Sequence, residues 1–173
     1  MKEIELKLIS ELLKNSRRSD RELAKIIGVS QPTVSQMIKK LEKEGYIKEY
    51  TIIPNFHGLG YELLALTFIK LKEGLALKEI EVARRKALEI LDNELPEVLM
   101  VERGTGLGYN GVIISLHKDY TSYQEFVGWL SQFTSLAAFK TESFLISLVD
   151  KIKYRPLTLS FLAEHLRKLE ATK

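Results

Sequence analysis

The chain has 173 residues, 45% hydrophobic and 28% charged, which is ample material for one or two packed globular domains. It contains no cysteine, so disulfides, thiolate metal sites and cysteine nucleophiles are excluded together. The formal net charge is +3 and all of it sits in residues 1–54, where 11 Lys and Arg face 8 Asp and Glu; the remainder balances at 15 against 15. That bias is expected if only the N-terminal part meets phosphate, and a bland surface has the same look. No apolar run approaches the ~20 residues that span a bilayer, and Met1 leads straight into a charged segment, so a cytoplasmic address without membrane contact is expected.

The first predicted helix, Glu3 to Lys14, carries Ile4, Leu8, Ile9, Leu12 and Leu13 as an apolar stripe. Asn15, Ser16, Arg17 and Arg18 follow as a polar turn, and the two arginines read equally as phosphate contacts or as a solvated charged turn. Ser19 and Glu22 form a capping box, so a second helix begins near Asp20 and ends at Gly28. Ser30 is a further N-cap, with Pro32 in a first turn where its missing N–H costs nothing. The third helix runs from Gln31 to about Glu44 and stops at Gly45, and the spacing of the pair is that of a helix-turn-helix.

That third helix has two unlike faces. Val34, Met37, Ile38 and Leu41 recur at steps of three and four and face inward. Gln31, Thr33, Ser35, Gln36, Lys39, Lys40 and Lys43 remain, with amides and hydroxyls first and ammonium groups later. On an isolated helix this is ordinary solvated surface; within a complete capped helix-turn-helix it is the order a recognition helix needs. The candidate DNA contacts are Arg17, Arg18, Ser30, Gln31, Thr33, Ser35, Gln36, Lys39 and Lys40. Tyr46 to Ile53 alternates roughly between apolar and polar and predicts a strand ended by Pro54, which closes a first domain of residues 1–54. Residues 55–60, Asn-Phe-His-Gly-Leu-Gly, are a linker.

Over residues 5–70 the sequence resembles the N-terminal half of the leucine-responsive regulatory protein (Lrp/AsnC) family of prokaryotic transcription factors. There a winged helix-turn-helix is followed by a connecting strand and a linker like Gly58-Leu59-Gly60 here.

From Tyr61 the periodicity changes and a second domain, residues 61–150, begins. The pattern predicts a strand at 63–71, a helix at 77–94, strands at 97–103 and 111–117, a helix at 122–133 and a strand at 140–149. The order βαββαβ is a ferredoxin-like arrangement, making the chain α+β. Ile80, Ala83, Ala87, Leu88, Leu91 and Leu95 line the first of these helices. The second opens on a Ser122/Glu125 capping box and buries Tyr123, Phe126, Val127 and Leu130. The strands Val98-Leu99-Met100-Val101, Val112-Ile113-Ile114 and Phe144-Leu145-Ile146 are apolar on both faces, so the side not covered by helices needs a cover. A second copy of the same sheet supplies one, which predicts a homodimer carrying two recognition helices for a pseudo-palindromic operator.

The resemblance also implies an ACT-like effector and oligomerisation domain, dimers that assemble further, and a small effector such as an amino acid near the loop from Gly104 to Gly111. The candidate effector residues are Gly104, Gly106, Gly108, Tyr109 and Asn110. Read without the family, the loop is a flexible hairpin; a phosphate cradle needs a helix after the glycines, and here a strand follows.

His57, His117 and His165 lie far apart and in no metal-ligand spacing, and no catalytic constellation stands out, so neither metal nor cofactor is expected. Residues 151–173 form an extension in which Lys151, Lys153 and Arg155 precede Pro156. Leu159, Leu162, Leu166 and Leu169 then mark an amphipathic helix that packs either on its own chain or on a neighbour. Two other readings stand beside a transcription regulator. One is a ligand-sensing module whose helix-turn-helix no longer binds DNA. The other is an enzyme, because Tyr109-Asn110 followed by His117 is similar to a run in the siroheme decarboxylases, which share the two-part layout.

Overall fold

The computed structural model describes residues 1–74, 76–95, 97–152 and 155–171. They divide into two compact units, Met1–Ile53 with Tyr154–Lys173 and Pro54–Lys153. Of the residues assigned above, Lys153 and the side chains of Leu91 and Leu169 lie outside the described residues.

In the first unit, α1 (Glu3–Lys14), α2 (Asp20–Ile27) and α3 (Gln31–Lys43) close around Leu8, Leu23, Ala24, Ile27, Val34 and Leu41. The segment expected as a strand, Tyr46 to Ile53, pairs with no other strand among the described residues. Its alternation is real, but a strand is completed only by a partner ladder. Tyr46, Tyr50, Ile52 and Ile53 are all exposed.

The extension ends in α6 (Ser160–Ala171), and this helix packs on α1 of the same chain. Its contact residue is Ala163, fully buried, whose carbonyl accepts a 2.8 Å hydrogen bond from buried Ser10 Oγ. The expected leucine stripe is therefore displaced: Leu159 and Leu162 are exposed, and the close approach runs over the small alanine. Arg155 lies 4.1 Å over the Phe161 ring at the start of this helix.

The second unit is a four-stranded antiparallel sheet in the order β2-β3-β1-β4. Its elements are β1 (Leu63–Leu71), α4 (Leu77–Glu94), β2 (Val98–Gly106), β3 (Tyr109–His117), α5 (Tyr120–Ala137) and β4 (Ala138–Ser147), the ferredoxin-like order. Two details differ from expectation. The hairpin strands run on through the glycines, so Gly104 and Gly106 belong to β2 and the turn shrinks to Leu107 and Gly108, both at positive φ (52° and 80°). The helix α5 starts two residues early because Asp119, not Ser122, is the cap: its Oδ1 accepts from Ser122 N at 2.7 Å. That hydrogen bond holds the Asp119 carboxyl below the usual carboxylate range.

The pairing register assigns the two faces. Met100, Ile114, Leu66 and Phe144 form one cross-strand row, and Leu116, Leu64 and Ile146 the next. The alternate rows hold Ile113, Thr67 and Ser143, then Ser115, Ala65 and Leu145. Ile113 packs with Phe126 and Leu130, so these rows lie under the helices, where Thr67 and Ser143 share a 2.8 Å hydrogen bond. The bulky rows lie on the other face, where Phe144 is 63% exposed.

Replacing Ala163 by leucine should drive a branched side chain into the closed α1–α6 contact and destabilise the first unit by about 1–3 kcal/mol. Urea unfolding followed by circular dichroism checks this, and an unchanged midpoint would mean that α6 is not seated on α1.

Candidate nucleic-acid interface

The interface is built on α3, and two caps set where it starts and how it leaves α2. Ser19 Oγ accepts from Glu22 N (3.3 Å) while Glu22 Oε2 accepts from Ser19 N (2.8 Å), the reciprocal box that opens α2. Gly28 ends α2 at φ 81°, a left-handed position that strains any residue with a Cβ. Ser30 Oγ then accepts from Thr33 N at 3.3 Å and lies 2.7 Å from Thr33 Oγ1, opening α3.

Burial decides the rotation of α3. Val34 and Leu41 are completely buried, and Met37 and Ile38 pack beside them. Gln31, Thr33, Gln36, Lys39 and Lys43 are consequently exposed along one edge, with Ser30 at its head and Ser35 half-buried at its margin. Lys39 and Lys43 make no ion pair among the described residues.

Two candidate cations are placed differently. Lys40 Nζ donates to Glu5 Oε1 at 2.6 Å and lies 3.8 Å from Glu44, so it ties α3 to α1. The hydrogen bond from Lys40, joined by one from the Lys2 backbone, holds the Glu5 carboxyl below its usual range, and the same bond raises the Lys40 ammonium. Arg18 pairs with Glu11, which Lys14 also grips, whereas Arg17 is exposed. Burial works against the Glu11 carboxylate, but Lys14 and Arg18 outweigh it and lower its pKa. These partners sit 7 to 35 residues from the cations they hold, beyond the reach of any local sequence pattern. Beyond α3, Tyr50 donates to Glu42 Oε1 at 2.9 Å, which pins the unpaired segment to the end of the recognition helix. Burial and this carboxylate push the phenol up to about 12.

In the second unit the effector candidates form the β2–β3 hairpin. Gly104, Gly106 and Gly108 contribute backbone, and Asn110 Oδ1 accepts from Leu71 N at 2.9 Å. Tyr109 packs tilted against Phe68, with ring centroids 5.6 Å apart, and donates its hydroxyl to Glu142, which Lys140 also grips. Glu142 brings to the hairpin a carboxylate that the sequence reading missed; alternation along β4 could have placed it on this face. The Tyr109-Asn110 pair and His117 lie at opposite ends of β3, about 26 Å apart at the usual rise per residue, so the structure does not gather them into one site. Among the described residues no cluster of His, Asp and Glu could hold a metal, and no helix is long and apolar enough to cross a membrane.

A capped helix-turn-helix with one exposed polar edge, joined in one chain to a ferredoxin-like sheet, defines a DNA-binding protein of the two-part regulator class. Residues 1–48 match the winged helix-turn-helix DNA-binding family model. The HTH-type transcriptional regulator FL11 of Pyrococcus furiosus is 36% identical over 60% of this chain and 63% of its own length. The uncharacterised HTH-type transcriptional regulator PH0061 of Pyrococcus horikoshii is 33% identical over 87% of this chain and 95% of its own. The crystal structure of PH0061 superposes with a TM-score of 0.70, covering 91% of this chain and 98% of that one. LrpC of Bacillus subtilis superposes at 0.68 with 25% identity, covering 90% and 99%. The chain belongs to the Lrp/AsnC family of transcription regulators. FL11 and five similar curated relatives are matched over only 52–63% of their own length.

The Lys40–Glu5 pair gives a signed pH dependence. Because the Glu5 carboxyl lies lower folded than its usual 4.5, its contribution is complete above that value and is lost as pH falls through the depressed one. Glu5→Gln should therefore flatten the acid limb of stability, measured as urea midpoints from about pH 6 down to about pH 3. Limbs of equal steepness would remove the pair from the account.

Proposed function

We propose that the protein is a sequence-specific transcription regulator that binds double-stranded DNA in the cytoplasm as a homodimer or larger assembly and answers to a small-molecule effector. The observation that carries this reading is the exposed edge of α3, with Gln31, Thr33 and Gln36 ahead of Lys39 and Lys43 on a helix whose other edge is sealed by Val34 and Leu41. Amides and hydroxyls in the first turns meet base edges, and the later lysines meet phosphates. Ser30, Ser35 and Arg17 flank that edge as further contacts. Lys40 and Arg18, committed to Glu5 and Glu11, support the helix instead.

Dimerisation is supported by the open face of the sheet. Its rows of Leu, Ile, Met and Phe are what a second copy buries, while the hydroxyl-bearing rows are already covered. The hairpin residues Gly104, Gly106, Gly108, Tyr109 and Asn110, with Glu142, are the proposed effector contacts; a carboxylate beside a phenol suits an amino-acid ammonium group. A non-enzymatic role fits the separation of Tyr109 and His117.

Gln36→Ala should lose about 1–3 kcal/mol of discrimination between the protein's own upstream DNA and random duplex, read by competition binding; equal weakening on both would show that Gln36 holds and does not read. Lys39→Ala should reduce the slope of log affinity against log salt by about one, while Lys40→Ala leaves the slope and lowers stability. The reverse pattern would exchange their roles. Phe144→Lys should convert the assembly to monomers in sedimentation velocity, and an unchanged assembly would place the interface elsewhere.

A further inference from the structure

A cavity lies in the sheet unit at the opposite end of β3 from the hairpin. Its volume is about 440 Å³, within the range of small-ligand sites. One wall is a single face of α5, where Glu125, Phe126 and Trp129 follow at helical spacing. The facing wall begins at Glu97, whose backbone carbonyl accepts from Leu116 N at 2.9 Å and so fixes the residue beside the end of β3. The Phe126 and Trp129 rings are nearly parallel, with centroids 6.4 Å apart.

His117 lines the cavity and is only 3% exposed. Its Nε2 lies 2.8 Å from Ser115 Oγ, and its ring is packed against Tyr123 and Phe126, yet Nδ1 has no hydrogen-bond partner among the described residues. An unpaired polar atom this deep is destabilising unless something completes it. Burial keeps the imidazole neutral, against the pull of the Glu97 charge. In the tautomer whose Nε2–H donates to Ser115, Nδ1 is left as an acceptor on a ring that lines the cavity.

The other polar groups have the same sense. Glu97 and Glu125 only accept, and the aromatic faces attract cations; Ser122, whose hydroxyl donates to Asp119 O, also lines the wall, and among the described lining residues the exposed Lys118 at the rim is the one opposing charge. We propose that this cavity binds a small organic ammonium compound with an apolar or aromatic body, its N–H groups meeting Glu97, Glu125 and His117 Nδ1 and its body lying on Phe126 and Trp129. The site shares no residue with the recognition helix or the hairpin, so this proposal and the DNA-binding reading fail independently.

Trp129 is the chain's single tryptophan, so its emission reports occupancy directly. The full-length protein is titrated with phenethylammonium, with 3-phenylpropionate as the anion of similar shape and N-acetyltryptophanamide as the quenching baseline. The expected result is a saturable change with phenethylammonium that 3-phenylpropionate neither reproduces nor competes away. A Glu97→Gln, Glu125→Gln double variant should bind at least about tenfold more weakly while keeping its thermal midpoint. Lys118→Ala, which removes only the opposing charge, should bind as well or better. No saturable change up to about 10 mM, equal binding of the anion, undiminished binding by the double variant, or loss of binding in Lys118→Ala would each overturn the proposal.

Discussion

The rotation of α3 about its own axis is the constraint on which the rest depends. Val34 and Leu41, two turns apart on one stripe and both completely buried, allow only one face of the helix to point into the head. The order along the outer edge then follows from the sequence, with Gln31, Thr33 and Gln36 leading and Lys39 and Lys43 trailing, while Met37 and Ile38 pack beside the anchors. The Lys40–Glu5 pair reinforces the setting from the flank. It engages one of the candidate lysines in ion pairs, whereas Lys39 and Lys43 make none among the described residues.

The sheet unit distributes its polarity unusually. Thr67, Ser115, Ser143 and His117 sit on the helix-covered face, where Thr67 pairs with Ser143 and Ser115 with His117. The face without helices carries Leu64, Leu66, Ile114, Phe144 and Ile146. A sheet that stayed solvated on that face would place these residues the other way round. The larger apolar rows on that face are what the proposed second copy would bury, and the hydroxyl pairs keep the inner face satisfied at small cost.

Much of this was legible in the sequence because the signals are local. The Ser19/Glu22 box, Ser30 with Pro32 and the stripe through Val34 and Leu41 placed the helix-turn-helix, and the apolar runs after Tyr61 placed all four strands of the sheet. What escaped depends on partners far along the chain. Tyr46 to Ile53 alternates as a strand does, yet among the described residues no second strand comes to it. Lys40 looked like its neighbour Lys39 until Glu5 stood beside it. The stripe of leucines in α6 suggested a wide apolar face, whereas the seat on α1 uses Ala163, whose small size is invisible to a hydrophobicity count. The hairpin was read too long because its glycines look like loop, although glycine also fits a strand when its neighbours supply the ladder.

Footprinting of the purified protein on its own upstream DNA tests the central claim most directly. The account predicts discrete protected half-sites about one helical turn apart, or a multiple of it, surviving from low to moderate salt. Absence of protection at either salt, or uniform protection without half-sites, would contradict a dimeric reader that uses the outer edge of α3.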